Sequence, residues 1–132
     1  MKPKRIVVYN LWRRFDKDGL DTPFAVCDKR TVTEKELIPT DLFNYLPDQT
    51  QSLTVEICQS SNSDAHKWYF YPNMQRDEVL MFSTFDSDEN PFIPTLHSAF
   101  DYPNCPEGVT PRESIEVLSL IHISEPTRPI DI

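Results

Sequence analysis

The sequence predicts a mostly β protein in the style of a jelly roll or cupin-like barrel, with one or two short helical turns. Three observations carry this. Short runs of β-branched and aromatic residues recur along the chain, and one of them alternates cleanly in polarity. Twelve prolines spread through 132 residues interrupt any long helix. Only two glycines are present. Neither GxGxxG nor GxxxxGKS/T occurs, which argues against a nucleotide fold that cradles phosphate on glycine-rich backbone.

Taken in order, Arg5 to Trp12 reads as a strand, because Ile6-Val7-Val8-Tyr9 is β-branched and aromatic and Leu11 and Trp12 extend it. Arg13 to Thr22 is charged, carries Gly19 and reads as a loop. Phe24-Ala25-Val26-Cys27 is a short buried strand. Thr33-Glu34-Lys35-Glu36 is the best local helix start, and Asp41 to Leu46 has the makings of one further turn. Gln51 to Gln59 sets Leu53, Val55 and Ile57 on one face and Thr54, Glu56 and Cys58 on the other, the mark of a half-buried strand. After a polar turn at Ser60 to Asp64, strands follow at Lys67–Tyr71, Glu78–Phe85 and Phe92–Phe100. Tyr102 to Pro111 is a proline-rich loop, and Ser114 to Val117 begins a last strand.

Length and charge limit the function. A chain of this size suits one domain. With 21 acidic against 13 basic residues the net charge is −8, which argues against a nucleic-acid partner. No stretch approaches the roughly 18 apolar residues of a membrane span. Met1-Lys2-Pro3-Lys4-Arg5 is basic, but the apolar run behind it is too short for a signal peptide. Three cysteines without metal-type spacing fit a reduced, cytoplasmic setting better than a disulfide scaffold.

The segment that carries chemistry runs from His97 to Ser114. A histidine ends one strand, and Arg112 and Ser114 open another. Residues two apart in a strand share a face, so Arg112 and Ser114 can address one ligand. A guanidinium fork with a hydroxyl suits a carboxylate. His97 offers an imidazole nitrogen to a metal. Together these resemble the distal half of a non-haem iron site, in which two histidines and a carboxylate occupy one face of Fe(II). A lone strand-end histidine is more often structural, however, and a surface arginine more often pairs with a carboxylate, so the spacing alone leaves both readings open. His66 precedes an aromatic strand and reads either as a substrate contact or, more commonly, as a strand-end histidine with a satisfied hydrogen bond. Trp68 and its aromatic neighbours fit an apolar substrate pocket or plain core. Asn10 and Trp12 share a strand face and can point into a barrel mouth, although packing explains Trp12 equally well. The acidic loop of Asp86, Asp88 and Glu89 lacks the spacing of a calcium site.

Seven blocks, in order, extend the reading. They are Asn10-Leu11-Trp12-Arg13; Pro23 to Val32; His66-Lys67-Trp68-Tyr69-Phe70-Tyr71-Pro72-Asn73-Met74; Asp77-Glu78-Val79-Leu80; Asp86-Ser87; His97-Ser98-Ala99-Phe100-Asp101; and Pro111-Arg112-Glu113-Ser114-Ile115-Glu116-Val117. They resemble the fungal and bacterial hydroxylase/desaturase family, which includes gibberellin desaturase-like, aspergillic-acid hydroxylase/desaturase-like and cephem 7α-methoxylase small-chain-like proteins. The resemblance implies a double-stranded β-helix, of which this chain would form a part. It also implies Fe(II), 2-oxoglutarate, molecular oxygen and hydroxylation or desaturation of a small secondary metabolite. In that pattern His97 corresponds to the distal metal histidine, and Arg112 and Ser114 to the cosubstrate anchor; Asn10, Trp12, His66 and Trp68 stay candidate substrate contacts by their own placement alone.

One departure matters. The family's proximal His-x-Asp is absent, since Trp68, Ala99 and Ser124 stand two residues after the three histidines. The expectation is a partial barrel over residues 1–117 that alone lacks catalytic iron. Leu118 to Arg128 resembles a translated sequencing-library adapter over eleven consecutive residues, so residues 118–132 are expected to be a non-native tail. The rival reading is a non-catalytic accessory or small-molecule-binding barrel that partners another biosynthetic enzyme, a role the small-chain resemblance also allows.

Overall fold

The computed structural model describes residues 4–17, 20–42, 53–58 and 64–123. Eight strands are formed among them. They are β1 (Arg5–Arg14), β2 (Phe24–Cys27), β3 (Leu37–Leu42), β4 (Leu53–Cys58), β5 (Trp68–Phe70), β6 (Leu80–Asp86), β7 (His97–Ala99) and β8 (Ser114–Ile123). Two short 3-10 turns, Lys29–Thr31 and Glu34–Glu36, are the helical content among the described residues. The second starts where the sequence predicts and carries a capping box: Glu36 accepts from the Thr33 backbone and hydroxyl at 2.8 and 2.9 Å.

The strands form two three-stranded sheets, ordered β6-β1-β8 and β5-β2-β7, and a β3-β4 hairpin. Every pairing is antiparallel. The first sheet's inner face carries Asn10, Trp12 and Arg14, all buried. Across from it the second sheet presents Phe24 and Val26, and the two faces close on a core of Trp12, Met74 and Phe82. Phe24 lies flat on Trp12, with centroids 4.5 Å apart and planes at 12°. A second core of Cys27, Val32 and Leu96 forms on the other side of β2. This mostly β architecture of facing antiparallel sheets is the one the sequence predicts.

Several boundaries differ from expectation, each for a tertiary reason. β1 runs to Arg14 because β8 pairs with it along its whole length, from Arg5↔Ile123 to Arg14↔Ser114. The helical turn expected from Asp41 does not form at its start, where Asp41 and Leu42 pair with Thr54 and Leu53 as strand; residues 43–46 lie outside the described residues. The Gln51–Gln59 strand appears as β4, although its side chains and the turn at 60–63 lie outside them too. The Phe92–Phe100 strand shrinks to His97–Ala99. Pro91 and Pro94 cannot donate to a ladder, and the segment crosses between sheets. Thr95 N–H donates to Ser83 O of the first sheet at 3.1 Å, while Leu96 O accepts from Cys27 N–H of the second at 2.8 Å. No helix among the described residues is long and apolar enough to cross a membrane.

Candidate active site between the two sheets

β7 pairs with β2 so that His97 stands opposite Val26. Residues paired across a ladder share a face, so His97 faces the space between the sheets. Its ring lies 4.8 Å from Phe82 and 5.6 Å from Phe24, centroid to centroid. Nδ1 is 3.0 Å from Thr95 O. A carbonyl only accepts, so Nδ1 carries the hydrogen. Nε2 is thereby turned to Glu116 Oε1, 3.7 Å away.

Glu116 belongs to a polar chain along the inner face of the first sheet. Thr84 Oγ1 donates to Asn10 Oδ1 at 2.8 Å, and Asn10 Nδ2 donates to Glu116 Oε1 at 2.5 Å. The antiparallel β1–β8 register brings this about, since Trp12 stands opposite Glu116 and Arg14 opposite Ser114. A bulge in β6, where Val8 pairs with Phe85 but Tyr9 with Ser83, turns Thr84 toward Asn10.

Beyond Trp12 the inner face opens into a small cleft lined by Trp12, Arg14, Asp16, Asp21, Phe24 and Arg112, among others. Its two guanidinium groups differ. Arg14 is neutralised, because Nη2 donates to Asp16 Oδ2 at 2.6 Å and Nη1 to Met74 O at 3.2 Å. Arg112 instead donates Nη1–H to a neutral carbonyl, Thr22 O, at 2.9 Å, and its backbone N–H goes to Asp21 Oδ2 at 3.0 Å. Arg112 precedes β8 rather than opening it, and the backbone pairing with β1 continues to its neighbour: Phe15 N–H donates to Glu113 O at 2.7 Å. The pairing sets Ser114 and Glu116 on the face of Arg14 and Trp12, and Arg112 lines the cleft beside those two.

The other candidates separate. Asn10 and Trp12 are buried on the inner face. His66 is buried elsewhere, with Nε2 3.2 Å from Glu36 Oε1. That contact and the two Thr33 donors, the Thr33 bonds being the larger cause, hold the Glu36 carboxyl below its ordinary range. Trp68 pairs with Cys27 on the outward face of the second sheet, where it lines an open apolar groove with Ala25, Phe70 and Phe100. Glu116, Arg14, Asp21 and Phe24 were not singled out in the sequence. Glu116 was recoverable, because it continues the two-residue period of Arg112 and Ser114; Asp21 carries no local signal.

This arrangement can do two things chemically. The guanidinium of Arg112 suits the carboxylate of a small molecule in that cleft; Ser114 is exposed and does not line it. An aromatic wall of Trp12, Phe24 and Phe82 runs from that cleft to the imidazole of His97.

Comparison with known proteins places this geometry. Over 117 residues, 89% of this chain, the sequence is 33% identical to the "Fe(II)/2-oxoglutarate-dependent dioxygenase nvfI" of Aspergillus novofumigatus, of which it covers 41%. It is 30% identical to "Aspirochlorine biosynthesis protein N" of Aspergillus oryzae, with 48% of that protein covered. It is 32% identical to "Hydroxylase/desaturase efuI" of Hormonema carpetanum, with 40% covered. The chain therefore spans less than half the length of these relatives. Among solved structures, the iron and alpha-ketoglutarate-dependent endoperoxidase NvfI superposes with a TM-score of 0.73 at 31% identity, over 90% of this chain and 43% of that one. The fold is accordingly part of a double-stranded β-helix. A family profile described as "Oxidoreductase/YMDC permease-like domain" matches residues 1–122, and the chain belongs to that family.

Proposed function

We propose that this chain is the cosubstrate-anchoring part of a non-haem Fe(II)/2-oxoglutarate-dependent oxidoreductase that hydroxylates or desaturates a small secondary metabolite. One observation carries the reading: a guanidinium that among the described residues bonds a neutral carbonyl and no carboxylate, Arg112, shares an aromatic-walled cleft with Phe24, whose ring also contacts the inward-facing imidazole of His97. Iron in such enzymes supplies oxygen activation for attack on an unactivated C–H bond. Its usual set is two imidazoles and one carboxylate. Among the described residues no three His, Cys, Asp or Glu side chains come together, so they do not fit a complete iron site. His97 supplies one imidazole nitrogen.

The chain's own residues bind and orient. Arg112 holds the far carboxylate of 2-oxoglutarate. Trp12, Phe24 and Phe82 exclude water from one side of the bound molecule. The Thr95 carbonyl, accepting from Nδ1–H, holds the His97 ring in one orientation, and Asn10 fixes Glu116 on the same inner face. The substrate is a small molecule and the second substrate is molecular oxygen. The three cysteines fit a reducing cytoplasm. We also propose that residues 1–117 are the native barrel part and that residues 118–132 are adapter-derived. A genomic copy of the gene encoding Leu118 to Arg128 would contradict this.

The test is Arg112→Ala in the protein at its native length. The 2-oxoglutarate concentration needed for half-maximal turnover should rise by at least about tenfold, as for loss of a charge-assisted bidentate contact. An unchanged requirement refutes the anchor. If His97→Ala leaves stoichiometric iron in place, the imidazole assignment fails and the accessory reading gains.

A further inference from the structure

We propose that Asp21 and Thr22 are positioning residues for Arg112: they fix its guanidinium without neutralising it, so that the Nε/Nη2 edge stays open for one carboxylate of a dicarboxylate ligand. The proposal rests on the anchor reading above and deepens it.

The two arginines of the cleft carry the argument. Arg14 has its guanidinium on a carboxylate, Asp16, and is buried. Such a group has no net charge to offer an anion. Arg112 has a carboxylate beside it as well, but Asp21 accepts the Arg112 backbone N–H at 3.0 Å rather than the guanidinium. The guanidinium goes to the Thr22 carbonyl at 2.9 Å through Nη1. A carbonyl fixes orientation and leaves the positive charge intact. Of the two forks that a guanidinium presents, the one built from Nε and Nη2 meets no partner among the described residues.

Backbone strain marks the same place. Thr22 sits at φ 42°, the left-handed region that a β-branched side chain rarely adopts. Such a conformation persists only where its surroundings enforce it. Here Asp21 is tied to Arg112 on one side, and Pro23 O accepts from Phe100 N–H at 3.2 Å on the other. The strained residue is the one whose carbonyl meets Arg112. The three residues before β2 thus brace the arginine, although 91 residues separate Asp21 from it.

The test is an NMR titration of the full chain with 2-oxoglutarate and, separately, with pyruvate. Pyruvate keeps the oxo acid but lacks the far carboxylate. Unmodified protein should prefer 2-oxoglutarate, and Arg112→Ala should abolish that preference. Asp21→Ala should weaken 2-oxoglutarate by about 3- to 10-fold and leave pyruvate unchanged, the size expected for one lost orienting hydrogen bond. Asp21→Asn keeps the oxygen acceptor and should stay within about twofold of the unmodified protein. If Arg112→Ala loses the preference but Asp21→Ala keeps it, the positioning role is overturned and the anchor stands. If Arg112→Ala keeps the preference, or the unmodified chain shows none, the anchor fails and the positioning role with it. Should Asp21→Ala not fold, hydrogen exchange in the unmodified protein decides. The Arg112 amide should be protected and should slow further with 2-oxoglutarate; a fast amide indifferent to ligand overturns the proposal.

Discussion

Replacing Phe24 with alanine removes a ring that, with Val26, joins the two sheets. Its ring lies flat on Trp12 at 4.5 Å and reaches Phe82 at 5.8 Å and His97 at 5.6 Å. A fully buried Phe→Ala change costs about 3–5 kcal/mol. Phe24 is half-buried, which lowers the transfer part, but it also loses a stacked partner worth about 0.5–1.5 kcal/mol. The expected loss is about 3 kcal/mol, a large share of a small domain's stability. Phe24→Leu keeps apolar volume without the stack and should lose only about 1 kcal/mol. Urea unfolding, followed by fluorescence, measures both, with an unchanged slope confirming that the native state is compared with like. A loss below about 1 kcal/mol for Phe24→Ala would show that the sheets are not joined through this ring. The aromatic wall between Arg112 and His97 would then be wrong.

Other outcomes follow from the polar framework. Asn10→Ala leaves Thr84 and Glu116 without their shared partner and should lower stability by about 1–3 kcal/mol in thermal melts. Asn10→Asp should cost more at neutral pH, because it sets a second carboxylate against Glu116, and should recover as the pH falls. The Asp86 carboxyl is held at about 2, mainly by the Arg5 guanidinium and then by the Asp88 N–H, against an ordinary 3.8. A depressed carboxyl stabilises the fold above its ordinary value and loses that contribution as the pH falls toward the depressed one. Melting temperature should thus drop between about pH 4 and pH 2, and Asp86→Asn should flatten that drop. Thr33→Ala breaks the capping box with Glu36 and should cost about 1 kcal/mol by the same melts.

The strands with strong local signals were legible in the sequence. β2 falls where Phe24-Ala25-Val26-Cys27 predicts it, and β1 differs only at its far end. What was not legible depends on partners distant in sequence. Asp41 carries a helical signal, yet pairing with Thr54 makes it strand. Phe92 to Leu96 is apolar enough for a strand, but its hydrogen bonds go to two different sheets. At the site, the two-residue period placed Arg112 and Ser114 on one face and would have added Glu116. The aromatic run at Trp68 to Tyr71 could not say which face points inward; the β2–β5 register does, and Trp68 points outward. Asp21 is 91 residues from the arginine it supports, and nothing local announces that link.

The most direct measurement is a crystal structure of the chain grown with 2-oxoglutarate. The far carboxylate should lie on the Nε/Nη2 edge of Arg112, with the oxo-acid end directed along Trp12 and Phe24 toward His97. A molecule bound in the outer groove beside Trp68, or a carboxylate on Arg14 with Arg112 left empty, would contradict the assignment of the inner face as the cosubstrate site.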